Sequence, residues 1–574
     1  MTEAQADLSA WWRPDGSGPE IWDITLGDML DRQAAAFGDR PAVRVDDQGG
    51  ARRTAWTYAE LKAEAETIAR GLMALGIAAG DHVAVMAQNC AEWIALEYAL
   101  AKAGAVLVTV NPGLQRAELD YLLGQSQARA LIFAPAVRGN DIAAHLAALM
   151  PDLARAQDGR RTAPEALPRL MQLIAIGDEV PDFALPFDTL RDLAGQIPPE
   201  ALTVRQAGIV STDVAQIQYT SGTTGKPKGA MLTHRGTVNN ARLTADRAGF
   251  GPEDRLLSPM PLFHTAGCVC GVMTMLAAGG EFIVMDAFDP QRMLALWHET
   301  RPTIVNAVPT MMTRMLEHPD LGQFDIHTLR HAFTGGTSIP PSLMRRVHQL
   351  TGGEPLIIMG MTETSPLITT TNPADDEARR YGTAGIPLPH TEIRIVDPET
   401  GAPVKWDESG ELCIRGYLVM AGYFDMPEKT AETIDAEGWL HSGDLAELSA
   451  SGHLRIVGRL KDMIIRGGEN VYPVEIEDCL MDHPDVSQAQ VVGVPDPDLG
   501  EETCAFVVAA PGALIDPAAL QAFCRERMAR HKMPKYVEPI EALPLTANGK
   551  VQKFALRDMA AKAIADGSMQ PVRR

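Results

Sequence analysis

The chain has no excess of positive charge. Its 574 residues carry 51 Lys+Arg against 74 Asp+Glu, a formal net charge of -23. Nucleic acid and anionic membrane surfaces are bound through broad basic faces, so neither is expected as the main partner. An acidic protein that binds a nucleotide has to concentrate its cations locally. Cysteine is sparse and unpatterned. Cys90, Cys268, Cys270, Cys413, Cys479, Cys504 and Cys524 form no CxxC and no zinc-ligand spacing, and an odd count does not suit a disulfide framework. They read as buried, reduced thiols of a cytoplasmic protein. The opening MTEAQADLSAWW lacks the basic and apolar regions of a secretory leader, in line with that expectation. Long apolar runs are missing as well. The most apolar stretch, GCVCGVMTMLAAGG from Gly267, stops at Glu281, too short to span a bilayer, and is expected as buried helix. No internal repeat, heptad or low-complexity tract is present.

The composition is that of a globular protein, with 46% hydrophobic and 22% charged residues. The length exceeds what one hydrophobic core supports, so two or more domains are expected. Leu61, Ala65, Ile68, Leu72 and Leu75 recur at spacings of four and three, the stripe of an amphipathic helix. Gly76 and Gly80 stop it, and HVAVM (82–86) reads as a short buried strand. A helix through EWIALEYALAKAG and the strand AVLVTVNP repeat the pattern, which argues for α/β layers around a largely parallel sheet. Residues 151–170, polar and broken by proline, read as a surface excursion. After a turn-rich, hairpin-like stretch ending near 459 the pattern becomes a smaller α+β one, with a helix at VEIEDCLMDHP, strands QAQVVGVPD and TCAFVVAA, and a helix around LQAFCRERMAR. The expected architecture is therefore α/β, with a large N-terminal domain of layered subdomains (1–459) and a smaller, mobile α+β C-terminal domain (460–574).

Residues 219–229, YTSGTTGKPKG, hold three glycines, five hydroxyl-bearing residues and two lysines. They follow VAQIQ, which reads as a strand. The Walker A pattern fails, because Gly225-Lys226 is followed by Pro227 and the upstream glycine is missing. The physics is similar all the same: glycines let the backbone approach phosphate oxygens, hydroxyls and N–H groups donate, and lysine adds a point charge. Six further words follow in order over more than 300 residues: GGTSIPP (335–341), GMTETSP (360–366), GELCIRG (410–416), GWLHSGD (438–444), GRLKDMIIRGGENVYPVEIE (458–477) and PLTANGKVQK (544–553).

Together these words resemble the AMP-forming adenylate enzymes: acyl- and aryl-CoA ligases, peptide-synthetase adenylation domains and firefly luciferase. The resemblance covers nearly the whole chain. It implies that Thr220, Ser221, Gly222, Thr223, Thr224 and Lys228 cradle the phosphates of ATP, and that Gly335, Gly336 and Thr337 wall the adenine. Thr362 would contact the α-phosphate. Glu363, a carboxylate beside a phosphate loop, is expected to hold Mg²⁺, since it would otherwise repel the triphosphate. Both should sit at the C-terminal mouth of the strand EPLIIMGM, where ligands bind in parallel sheets. The family usually stacks an aromatic residue on adenine just before this point; here Met359 stands there, followed by Gly360 and Met361. Asp444 is expected to accept hydrogen bonds from the ribose hydroxyls, with Arg459 nearby. Lys550 matches the catalytic lysine that bridges carboxylate and α-phosphate, and Lys461 the hinge about which the small domain turns between half-reactions. Gly467 and Gly468 would line the pantetheine route of coenzyme A. Arg455, Arg459, Lys461 and Arg466 form a locally basic strip, and RERMARHKMPK (525–535) offers further cations for the phosphates of coenzyme A.

PLFHTAG (261–267) bears on the acid. Adenylation domains that select α-amino acids carry an aspartate after the aromatic residue; this chain has His264, read either as a gate between acyl pocket and thiol tunnel or as a packed core histidine. Phe263, Cys268, Val308 and Ile357 are the further pocket positions, mostly apolar, which favours fatty or arylalkanoic acids. The expected activity is ligation of such an acid to coenzyme A with ATP and Mg²⁺, the partners being small molecules; a homodimer is compatible with the sequence. Two other readings stay open. One is an adenylate-forming enzyme serving a carrier protein in trans or an oxygenase. The other is an inactive nucleotide- or acyl-binding regulator, which would be expected to lack Lys550 or Glu363.

Overall fold

The computed structural model describes residues 9–14, 16, 18–150, 167, 169–220, 226–337, 339–467, 469–544 and 551–572. The excursion expected at 151–170 lies mostly outside them, as do Ser221, Gly222, Thr223, Thr224, Gly468 and Lys550.

Local signals in the first hundred residues fold as their periodicity dictates. Thr57 caps helix Tyr58–Ala74, its hydroxyl accepting from the Glu60 N–H while the Glu60 carboxylate accepts from the Thr57 N–H. Leu61, Ala65, Ile68 and Leu72 are fully buried along one face, while Leu75 serves as the C-cap. Helix Ala91–Ala103 is buried along its whole length, so it packs between layers and not on a surface. Both helices and the apolar faces of two large sheets share one continuous core, which includes Val43, Val85, Ile217 and Phe282.

In the eight-stranded sheet, His82–Met86 lies between Val106–Thr109 and Ala130–Phe133, parallel to both. Val214–Thr220 continues this parallel set beside Val106–Thr109, and Lys228–Thr233 and Gly422–Tyr423 then pair antiparallel at the edge. The nine-stranded sheet is parallel from Pro41–Asp47 through Glu281–Met285, Arg255–Ser258, Ile304–Asn306 and His331–Gly335 to Glu354–Gly360. Short strands at its edges run antiparallel. The apolar run from Gly267 forms the expected buried helical segment, Thr265–Gly267 leading into a π-helical stretch, Cys268–Met273, and then Thr274–Ala278.

A third sheet has a different character. Five antiparallel strands run in the order Trp11–Trp12, Thr391–Val396, Gly410–Gly416, Leu440–Leu448 and Leu454–Arg459. The last two are the hairpin expected from the turn-rich stretch before residue 459. The chain leaves this sheet at Arg459, makes a single 3-10 turn at Leu460–Asp462, and enters a fourth sheet at Ile464–Arg466. There Gly500–Ala509 lies between Val486–Asp496, to which it is antiparallel, and Tyr536–Pro539, to which it is parallel. Helices Pro473–Met481 and Pro517–Arg525 add buried Ile476, Leu480, Leu520 and Cys524 to a core that the first three sheets do not share.

Candidate active site

Three segments remote in sequence converge at the open end of the first two sheets. The pairing of Val214–Thr220 with Lys228–Thr233 sets Thr220 opposite Lys228, one on each side of residues 221–225. The Lys228 ammonium lies over the ring of Tyr423, 4.1 Å from its centroid. The Tyr423 hydroxyl donates to Glu363 Oε1 at 2.8 Å. Glu363 sits in the turn Thr362–Thr364 that follows strand Glu354–Gly360, as the sequence led us to expect, and its residue is only 7% exposed. Burial and the adjacent Glu363 charge push the Tyr423 phenol well above its ordinary range, so it stays a neutral donor. One carboxylate oxygen is thus fixed, and the other makes no hydrogen bond among the described residues. An oxygen donor so placed, beside a lysine held over a π-face, suits a hard cation shared with phosphate. Glu363 therefore fits Mg²⁺.

The backbone is drawn close beneath this point. A Cβ on Gly335 would lie 2.4 Å from the Ile358 carbonyl oxygen, and one on Gly360 would lie 2.1 Å from that of Pro366. Neither position tolerates a side chain without moving a strand. Gly336 and Thr337 continue from Gly335 as an exposed bend. Met359 and Met361 are half-buried and pack on the apolar side of the five-stranded sheet, with Leu412, Ile414 and Leu440. Where an aromatic ring would stack, the thioethers thus join two sheets together.

Asp444 stands directly across from Arg459 in that sheet, and Arg459 Nε donates to Asp444 Oδ1 at 3.0 Å. The turn before it is tied down: the Asp444 N–H donates to Ser442 Oγ at 3.0 Å, Ser442 Oγ donates to the Leu412 carbonyl at 2.7 Å, and the Gly443 N–H donates to Glu411 Oε1 at 3.1 Å. The two residues expected at the ribose are therefore brought together, and they hold each other.

The strip that follows is less basic than its sequence. Arg455 pairs with Glu447, and Arg466 with the buried Glu502 at 2.6 Å. Between 525 and 535, Lys532 pairs with Glu475, and Lys535 with Asp496 at 2.6 Å. Partners from neighbouring strands and helices, invisible in a linear reading, neutralise most of this charge. Lys461 differs: it makes no ion pair among the described residues, and burial, with Arg459 close by, lowers its ammonium below the ordinary range. It borders a cavity of about 450 Å³, lined also by Asp462, Glu501, Arg557 and Asp558. Gly467 turns the hairpin between Ile464–Arg466 and Glu469–Val471 at φ +60.

The AMP-binding enzyme family matches residues 30–424, and the C-terminal domain of AMP-binding enzymes matches residues 475–550. This chain is an AMP-binding enzyme. It is 42% identical over 540 residues to a Bacillus subtilis protein named as an acyl-CoA synthetase, YngI, covering 94% of this chain and 97% of the relative. The mitochondrial medium-chain acyl-CoA ligase ACSF2 of Rattus norvegicus is 36% identical over 540 residues, covering 93% and 87%. Among solved structures, ATP-bound MatB from Rhodopseudomonas palustris superposes with a TM-score of 0.77 at 32% identity, covering 93% of this chain and 99% of MatB. The acyl-CoA ligase relatives, 36–42% identical over most of the chain, make it an AMP-forming acid–CoA ligase. No helix among the described residues is long and apolar enough to cross a membrane.

In this AMP-binding enzyme the acyl-pocket candidates have different surroundings. His264 is half-buried and caps the turn Thr265–Gly267, Nδ1 accepting from the Ala266 N–H at 3.1 Å; that bond requires an unprotonated Nδ1. Phe263 and Val308 are half-buried as well. Cys268 is completely buried, where Gln218 Nε2 donates to its sulfur at 3.2 Å, and burial pushes its thiol far up. Ile357 belongs to a different apolar cluster, with Trp297, Met312 and Met344. Beneath Cys268 lies a feature the linear reading missed: Glu97, pushed up to about 8 by burial, accepts from Gln216 at 2.8 Å. Tyr423 was missed too. Its only signal was a tyrosine at the edge strand of the phosphate-loop sheet, and that pairing is not visible in sequence.

Proposed function

We propose that this enzyme activates an apolar carboxylic acid, a medium- or long-chain fatty or an arylalkanoic acid, and transfers it to coenzyme A. In the first step the acid's carboxylate oxygen attacks the α-phosphorus of ATP and expels diphosphate. In the second the thiol of coenzyme A attacks the acyl carbonyl, loses its proton and expels AMP. Thr220, Ser221, Gly222, Thr223, Thr224 and Lys228 hold the phosphates, and Thr362 reaches the α-phosphate. Glu363 would hold Mg²⁺, which when bound neutralises charge on the triphosphate. Asp444 and Arg459 exchange their mutual bond for the ribose, and Gly335, Gly336, Thr337, Met359, Gly360 and Met361 border the base. Lys550 faces the carboxylate and α-phosphate as charge builds between them. Residues 460–574 then turn about Lys461, and Gly467 and Gly468 border the thiol's path, with His264 between acyl pocket and thiol.

The convergence of Lys228, Tyr423 and Glu363 carries this reading, since it sets a cation on the phosphate loop's own sheet and ties it, through Tyr423, to a metal-fitting carboxylate at the end of the nine-stranded sheet. The acid class draws support from the apolar residues around 263–268 and from relatives named as acyl-CoA and medium-chain acyl-CoA ligases. Diphosphate release from octanoate, ATP and Mg²⁺ should proceed without coenzyme A. Strict dependence of that step on coenzyme A refutes the scheme, and a panel of fatty, aromatic and arylalkanoic acids followed by AMP release fixes the acid.

A further inference from the structure

The outer face of the five-stranded sheet carries a group of side chains that the ligase chemistry does not use. Glu411 and Cys413, two apart on strand Gly410–Gly416, project on the same side, and His441 lies directly across from Cys413 on Leu440–Leu448. Cys413 Sγ is 3.5 Å from His441 Nδ1, and Glu411 Oε2 is 2.9 Å from the same nitrogen. All three ligand atoms lie within 4.8 Å of one another. A zinc-type ion with metal–sulfur and metal–nitrogen bonds of about 2.3 and 2.0–2.1 Å, at a tetrahedral angle, sets its sulfur and nitrogen about 3.5 Å apart. The observed sulfur–nitrogen separation is that edge; the carboxylate has to withdraw by roughly half an ångström to complete the face.

We propose that Glu411, Cys413 and His441 form a binding site for a thiophilic divalent ion of the zinc class. The surroundings support it. His441 Nε2 points at Asp435 Oδ2, 3.6 Å away, the carboxylate–imidazole arrangement that orients a metal-binding histidine. Asp435 is itself held by the N–H groups of Glu437 and Trp439, both at 2.9 Å. Arg394, across from Cys413 on the other neighbouring strand, bonds Asp435 at 3.3 Å and stacks on Trp439. Its charge offsets one of three anions (Glu411, Asp435 and the thiolate), leaving two net negative charges against a dication. Cys413 gives up its thiol proton to solvent on binding. His441, with a side chain 31% exposed, is the way in. Water completes the coordination, as in sites with three protein ligands. Because the other Glu411 oxygen holds the Gly443 N–H beside Asp444, ligation also pulls on the ribose turn. That coupling rests on the role proposed for Asp444, whereas the metal site does not.

The test titrates Co²⁺ into the full-length protein without ATP. One equivalent is expected to bind with the near-ultraviolet absorption of a cobalt–thiolate bond, and Zn²⁺ should bleach it. Cys413→Ser should abolish the absorption. Glu411→Gln, which keeps an acceptor for Gly443, and Asp435→Asn should each weaken binding about 10-fold or more. Absorption that persists in Cys413→Ser belongs to another thiol, such as the Cys479–Cys524 pair at 3.9 Å, and overturns the proposal. So does a parent protein that shows none at millimolar Co²⁺, or a Glu411→Gln protein that melts normally and binds as the parent does. A raised KM for ATP in the zinc-loaded protein would report the coupling; an unchanged KM removes the coupling and leaves the site.

Discussion

Replacing Tyr423 by phenylalanine removes one oxygen and leaves everything else at the phosphate end of the site in place. The ring stays, so Lys228 keeps its seat 4.1 Å from the centroid. What disappears is the donor to Glu363 Oε1 at 2.8 Å. Hydrogen bonds to charged groups contribute about 1.5–3 kcal/mol, and a buried acceptor left unpaired costs at least as much. Since Glu363 is only 7% exposed, water cannot easily replace the phenol. At about 1.4 kcal/mol per tenfold, kcat/KM for Mg·ATP should fall about 10- to 150-fold. The loss should fall on adenylate formation, because the role proposed for Glu363 is at the triphosphate and diphosphate leaves with that step. Diphosphate release is followed at saturating octanoate, without coenzyme A, over a range of Mg·ATP. Thioester formation from supplied acyl-adenylate should be close to unchanged. A Tyr423→Phe protein within twofold of the parent at subsaturating Mg·ATP, or one equally impaired in both half-reactions, refutes the assignment of Glu363 to the metal.

The remaining tests address other parts of the molecule. Lys550→Ala should slow adenylate formation by about 10²–10³ while leaving conversion of supplied acyl-adenylate largely intact; equal losses in both steps would remove its assigned role. Lys461→Pro, within the turn Leu460–Asp462, should do the reverse, and an unaffected thioester step would show the hinge to be elsewhere. His234 is buried, accepts from the Leu26 N–H through Nδ1 at 3.2 Å, and is held down to about 4 by burial. The unfolded chain takes up a proton below about pH 6.5 that the folded one refuses until about pH 4, so stability is full above that window and falls by about 3 kcal/mol across it. Urea midpoints between pH 7 and 4.5 should follow this slope, and His234→Gln should flatten it. Gly335→Ala, whose Cβ would meet the Ile358 carbonyl at 2.4 Å, should cost about 1–3 kcal/mol, seen as a lowered melting temperature.

Elements defined by near neighbours were legible before any coordinates. The stripe through Leu61 and Leu72, the strand HVAVM and the hairpin before Arg459 all rest on contacts a few residues apart, which periodicity records. The motif words placed Glu363 at the end of its strand for the same reason. Pairings between distant segments left no such trace. Trp11–Trp12 closes the five-stranded sheet against Thr391–Val396, and nothing in either stretch names the other. Tyr423 reaches Glu363 because a two-residue strand pairs with Lys228–Thr233. Cysteine spacing gave no sign that Cys413 meets His441, since the two are neighbours across a sheet and not along the chain. Charge was misread in the same way: a run of arginines looks basic until the carboxylates of adjacent strands are counted.

An acidic chain can hold three phosphates only where it keeps cations within reach of them. Its cations at the site are not free but held by partners of modest strength. Lys228 rests on an aromatic face and Arg459 on Asp444, with the Arg459 side chain 52% exposed. Exposed ion pairs contribute only about 0.2–1 kcal/mol, so a ribose or phosphate that offers a closer, charge-assisted bond can displace the partner at little cost. The aromatic contact is similarly weak at an accessible position, about 0.5–1 kcal/mol. Buried pairs such as Arg466–Glu502 behave differently, because opening them strands a charge in the interior. The distinction separates cations available to ligands from cations that only hold the fold. It places Lys228 and Arg459 in the first group and Arg466 in the second, although Arg459 and Arg466 come from one short stretch of sequence.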